Sequence, residues 1–169
     1  MATTTGIPLS EYLATSYSPD CDFLDGELQE RNLGEIEHAK VQAAIAAWFY
    51  QHRKQWELHV LPEVRIQISA TRFRVADLCL VAREAGEVDV VRHAPLAIIE
   101  ILSPEDRVSR YHERLADYRK MGALSLWIVD PQARQGYDCS SGNWIRTLHF
   151  QVPGTPIALD LAAIFAELD

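Results

Sequence analysis

The sequence predicts an α/β (α+β) fold, a mixed β-sheet with helices on both faces, and three observations predict it. Two short apolar runs, Arg74–Val81 and Leu96–Leu102, have the length of strands buried on both faces. A third such run, Leu124–Pro131, follows a stretch of helical periodicity, so that strand, helix and strand succeed one another. Each of the first two runs is interrupted by a single acid, Asp77 in one and Glu100 in the other. Burying an ionised carboxylate is costly unless it is paired or holds a metal. The two acids therefore either meet at one site or, more simply, sit at strand ends in solvent.

The other elements follow in chain order. Residues 1–6 read as a frayed polar tail, and Ile7–Tyr17 carries a short helix with Ser10 as its N-cap. Asp22–Arg31 alternates around Asp25-Gly26, the dipeptide that a tight hairpin prefers. The first long helix is expected from about Gly34 to His52, with Val41, Ile45 and Trp48 or Phe49 on its apolar face and His38 at the start of that face. His38 is either a core-edge histidine or one that reaches the carboxylates. Glu57–Ser69 reads as a strand with Pro62 at an edge or bulge. A polar link holding Val88, Val90 and Val91 then leads to the Glu100 strand. Ser103-Pro104-Glu105-Asp106 has the composition of a helix start, and Gly122 that of its end. Within that helix Val108, Tyr111, Leu115 and Tyr118 form the apolar face, and Arg107, Arg110 and Arg114 a basic flank. Gln135–Phe150 reads as a hairpin turning at Ser141-Gly142-Asn143, and Ile157–Leu168 as a closing helix.

Bulk composition narrows the function. With 169 residues the chain is expected to form one domain, 1–169. A net charge of −8 argues against broad adhesion to nucleic acid, though not against a local basic cleft. Cys21, Cys79 and Cys139 lie far apart, as in a reduced cytoplasmic protein. Neither a signal peptide nor a membrane-spanning apolar run is evident.

Side chains alternate along a strand, so Glu100 shares a face with Leu102, and Asp77 with Val75 and Cys79. If the two strands are neighbours in register, Asp77 and Glu100 converge. Two carboxylates that close repel unless one is protonated or a cation lies between them. Mg²⁺ takes one or two carboxylates and keeps its remaining waters, and it can polarise a phosphoryl oxygen. The arrangement suits phosphodiester cleavage.

Six segments together resemble a known group: Asp25-Gly26-Glu27-Leu28, His38 on the first long helix, Val75-Ala76-Asp77-Leu78, Ile99-Glu100-Ile101-Leu102-Ser103-Pro104, Arg114-Leu115 with Tyr118, and Leu126–Pro131. Their order is similar to that of the PD-(D/E)XK nuclease superfamily and, more narrowly, of the Uma-type family of putative restriction endonucleases. The resemblance implies a restriction-endonuclease-like core and a Mg²⁺ or Mn²⁺ held by Asp77, Glu100 and the main-chain carbonyl of Ile101. It also implies Glu27 and His38 as helpers facing the site, nucleic acid (DNA in first place) as substrate, and a homodimer. The superfamily's lysine two residues after the glutamate is Leu102 here. In the Uma-type family a lysine on the next helix takes that part, and this chain has Arg114 there; arginine keeps the charge but cannot accept a proton. The alternative is a catalytically impaired member that acts as a dimeric binding or regulatory module. Trp56, Tyr137 and Trp144 are candidates for a partner surface.

Overall fold

The computed structural model describes residues 6–32, 34–86, 89–106 and 108–169. Most of the expected tail, and Val88 and Arg107, lie outside the described residues. Among the described residues four α-helices and ten strands follow in order: α1 (Leu9–Ala14), β1 (Asp22–Leu24), β2 (Glu27–Gln29), α2 (Ile36–His52), β3 (Leu58–Ser69), β4 (Arg72–Ala82), β5 (Ala97–Ile101), α3 (Val108–Met121), β6 (Ser125–Asp130), β7 (Gln135–Asp138), β8 (Ile145–Thr147), β9 (His149–Gln151), β10 (Ala158–Asp160) and α4 (Leu161–Glu167). Eight strands form one mixed sheet in the order β2-β1-β4-β5-β6-β7-β8, with β3 on the other edge of β4.

Helices cover both faces, as the strand patterns require. Alternation along β5 sends Ala97, Ile99 and Ile101 to one side, where they pack with Val41, Ile45 and Phe49 of α2 and Leu161, Ile164 and Phe165 of α4. Ile98 points to the other side, against Tyr111, Leu115 and Tyr118 of α3. The parallel pair β5–β6 is joined through α3, the crossover that parallel strands need.

Several local expectations are corrected. Ser10 is not a cap: α1 begins at Leu9, and its first turn closes on the Pro8 carbonyl, which accepts from Glu11 and Tyr12. Ser103–Asp106 is a turn ahead of α3, in which the Ser103 N–H donates to the Asp106 carboxylate (2.7 Å) and the Asp106 N–H to the Ser103 carbonyl (2.9 Å). Val108, expected on the apolar face, is exposed, whereas Arg114, expected on the basic flank, is buried, as is Asp117. The return strand of the last hairpin divides at Leu148, with β8 pairing β7 and β9 pairing β10. The closing helix is shorter than expected because 158–160 pair with β9, and Asp160 then caps α4 by accepting from the Ala163 N–H at 3.2 Å.

One edge of β4 creates the opening in which the candidate site lies. Phe73 pairs with both Phe23 of β1 and Gln67 of β3, while Leu78 pairs with both Ile99 of β5 and Pro62 of β3. Strands β1 and β5 therefore share one edge of β4 and leave Arg74–Asp77 between them without a strand partner on that edge. On the opposite edge the β3–β4 ladder skips the Glu63–Asp77 pair, and Glu63 has a φ of 49°. Backbone groups stranded in such a gap need other partners, and side chains supply them.

Candidate active site

The β4–β5 register pairs Leu78 with Ile99, and one further step sets Asp77 opposite Glu100 on the same face. Both are 2% exposed, and both line a cavity of about 240 Å³ that opens between β1, α2 and α3. The conditional reading of the two strands, that Asp77 and Glu100 converge if the strands are neighbours in register, describes their geometry.

Asp77 is held through both carboxylate oxygens, and Glu100 through one. Asp77 Oδ2 accepts from the main-chain N–H of Ile101 at 2.8 Å and lies 3.3 Å from His38 Nε2. Asp77 Oδ1 accepts from Arg31. The main-chain carbonyl of Asp77, left out of the β3 ladder, accepts from Gln42 Nε2 at 2.9 Å. Glu100 Oε1 takes Arg114 Nε at 3.2 Å, Arg114 Nη2 at 2.8 Å and the Tyr118 hydroxyl. Every hydrogen bond recorded for this carboxylate falls on Oε1.

Behind the acids lies a network that the sequence reading missed. Asp22, 1% exposed, accepts from the Val75 N–H (2.7 Å), from Arg74 Nη1 (3.0 Å) and from Arg114. Arg114 also donates to the Val75 carbonyl at 2.6 Å, so that Asp22 and Arg114 together complete the backbone that β1 and β5 leave open. Arg74 continues to Asp117 of α3 at 2.7 Å. A signal for Asp22 existed: it is one acid in the run Cys21-Asp22-Phe23-Leu24, the same pattern that marked Asp77 and Glu100. Glu27, the acid of this hairpin expected to face the site, is exposed at the turn end and is not among the residues lining the cavity. It shares a face with Asp22, because it pairs with Leu24 as Asp22 pairs with Gln29, but it lies farther along the hairpin. The hairpin sends Asp22, not Glu27, into the site.

The charges bias one another. Burial works against ionised Asp77, yet the hydrogen bond from His38, the Arg31 charge and the Ile101 N–H outweigh it and hold the carboxyl well below the usual carboxylate range. Burial pushes Glu100 up, and the nearby Asp77 charge adds to this against the pull of Arg114. Burial alone would lower His38, but its hydrogen bond to Asp77 and that group's charge raise it above the ordinary histidine value. The two facing carboxyls are thus shifted in opposite directions.

The site offers a cation two side-chain carboxylates and the carbonyl of Ile101, which lies 3.5 Å from the Tyr111 hydroxyl. Among the described residues no three Asp, Glu, His or Cys side chains gather into a metal-binding group. Leu102, in the superfamily's lysine position, is half-buried against the apolar cluster on the α3 side of the sheet. Among the described residues no helix is long and apolar enough to cross a membrane.

Comparison with known proteins agrees with this architecture. No curated protein matches the chain. A crystal structure from Anabaena variabilis ATCC 29413, described as a "putative nuclease belonging to DUF820", superposes with a TM-score of 0.80 over 96% of this chain and 99% of that one, at 19% identity. A chain of the DrdV–DNA complex solved by cryo-EM aligns over 78% of this chain and 11% of its own length, with a TM-score of 0.45 and 14% identity. The first shares the fold; the second is too distant to bear on it. The family model Uma2, described as "Putative restriction endonuclease", matches residues 9–159, and the chain belongs to that family.

Proposed function

We propose that this chain is a metal-dependent nuclease that hydrolyses phosphodiester bonds of nucleic acid, DNA in first place. Asp77, Glu100 and the Ile101 carbonyl are the proposed ligands of one Mg²⁺ or Mn²⁺. The observation that carries the reading is how the two acids are held. Asp77 is anchored to β5 through Oδ2 and Glu100 to α3 through Oε1, while their other oxygens, Oδ1 and Oε2, make no bond to those elements. A hard divalent cation needs only one or two such oxygens, since water fills the rest of its shell. The donor set fits.

The chemistry that such a cation supplies is polarisation of the scissile phosphoryl group and acidification of a nearby water. The protein's own part is orientation and charge. The bonds from Arg114 and Tyr118 keep Glu100 in one rotamer, and Arg114 leaves a permanent positive charge beside the reacting centre. Arg114 is no base, and Leu102 has no proton to move. His38, biased toward its charged form by Asp77, offers an N–H rather than an acceptor. Glu27 is given no step. A cytoplasmic location accords with three cysteines that form no disulfide.

A second reading is the catalytically impaired, dimeric binding or regulatory module. Leu102 in the lysine position favours it, as do the two arginines that neutralise both acids without a cation. Incubation with supercoiled plasmid separates the two. The nuclease reading expects nicking with Mn²⁺ or Mg²⁺ that a chelator stops. The second reading expects a gel shift of uncut DNA whatever the cation, and that outcome would displace the first.

A further inference from the structure

The two arginines on the two acids are held in different ways. Arg114 spreads its donors over Glu100, Asp22, the Val75 carbonyl and Tyr118, so its head group is fixed from several sides. Among the described residues Arg31 donates one hydrogen bond, to Asp77 Oδ1. The main chain around Arg31 is nevertheless fastened. Arg110 donates to the Glu30 carbonyl at 2.8 Å, and Asn32 donates to Asp106 at 2.7 Å. The main chain is thus tethered at the cavity wall, and Asp77 is the one hydrogen-bond partner that the guanidinium would have to give up in order to turn.

The oxygen that Arg31 covers is also telling. Asp77 Oδ2 is committed to Ile101 and His38, so Oδ1 is the oxygen left to meet a cation, and Arg31 stands on it. A divalent cation bound to that oxygen and a guanidinium donating to it repel one another, so each weakens the other's hold. An arginine displaced within a partly enclosed cavity needs another anion, because an unpaired buried charge is costly. In a site that takes nucleic acid, the anion that arrives is a backbone phosphate, and the planar guanidinium matches its two free oxygens in a bidentate pair.

We propose that Arg31 is a phosphate-binding residue of this site, that it rests on Asp77 when no divalent cation is present, and that the cation and Arg31 exchange for Asp77 as nucleic acid binds. The proposal rests on the nuclease reading of the cavity. Its test is a calorimetric titration of Mn²⁺ into the parent chain, Arg31→Gln and Arg31→Lys, with binding of a labelled DNA duplex followed in Ca²⁺.

Removing the competitor should tighten Mn²⁺ binding by about tenfold in Arg31→Gln, within the usual range of site coupling. Arg31→Lys keeps the charge but meets Asp77 without the planar fork, so it should show a smaller gain, and it carries the test if the glutamine variant does not fold. Both variants should bind the duplex less tightly than the parent. A parent that binds Mn²⁺ and variants that match it in both assays would remove Arg31 from the mechanism and leave the nuclease reading standing. Absence of Mn²⁺ binding in all three proteins would instead overturn the nuclease reading, and this inference with it.

Discussion

Asp22→Ala should lower the unfolding free energy by about 3 kcal/mol, the lower end of the cost of removing one partner from a buried ion pair. The substitution leaves Arg74 and Arg114 with one acid fewer in a region from which water is excluded, and it leaves the Val75 N–H without an acceptor. The loss stays at the lower end because Arg74 keeps Asp117 and Arg114 keeps Glu100. Against the roughly 5–15 kcal/mol total of an ordinary domain this is a large fraction. Urea unfolding reads it as a shift of midpoint at constant slope. A change below about 1 kcal/mol would mean that water reaches the gap between β1 and β5 and that the network is solvated, as exposed ion pairs are.

Glu100→Gln should cut cleavage by at least 10²–10³-fold, on the order of the loss when one preorganised charge-stabilising group is removed, while the fold is kept. The amide is nearly the same size as the carboxylate, and its carbonyl oxygen can still accept from Arg114 and Tyr118. What it loses is the charge, and with it the cation. Plasmid nicking measured beside a thermal melt separates the two effects. Cleavage near the parental rate in a folded Glu100→Gln protein would place the chemistry elsewhere.

Strand periodicity made much of this site legible. An acid inside an apolar strand announces itself, because the period of two fixes which face it takes, and Asp77 and Glu100 do lie on one face of neighbouring strands. His38 could be followed along the apolar face of α2 for the same kind of reason. Other parts depend on tertiary placement. That β1 and β5 share one edge of β4 cannot be read from either strand, so the role of Asp22 was hidden even though its residue pattern was visible. Glu27 and Asp22 lie on the same hairpin face, and only the position of the turn decides which reaches the cavity. Arg74 opens the apolar run Arg74–Val81 with nothing in the sequence to give it a partner, and in the structure it is buried between Asp22 and Asp117. Arg31 closes the run that reads as an alternating hairpin, beyond the end of β2, and nothing local indicates that it crosses to Asp77.

The gap in β4 also explains why the site sits where it does. A continuous sheet would satisfy Val75 and Asp77 through strand neighbours and leave no room for side chains. Here the skipped Glu63–Asp77 pair and the parting of β1 from β5 expose main-chain groups that Asp22, Gln42 and Arg114 must satisfy. The polar cluster is therefore a consequence of topology. The cavity it surrounds is where the proposed substrate phosphate would enter.

Calorimetric titration of Mn²⁺ and Mg²⁺ into the parent chain, Asp77→Ala and Glu100→Ala tests most directly whether the two carboxylates form one cation site. The account predicts saturable binding of one ion by the parent and its loss in each variant taken singly. Binding that survives either substitution in a folded protein, or a folded parent that binds neither ion, would contradict it.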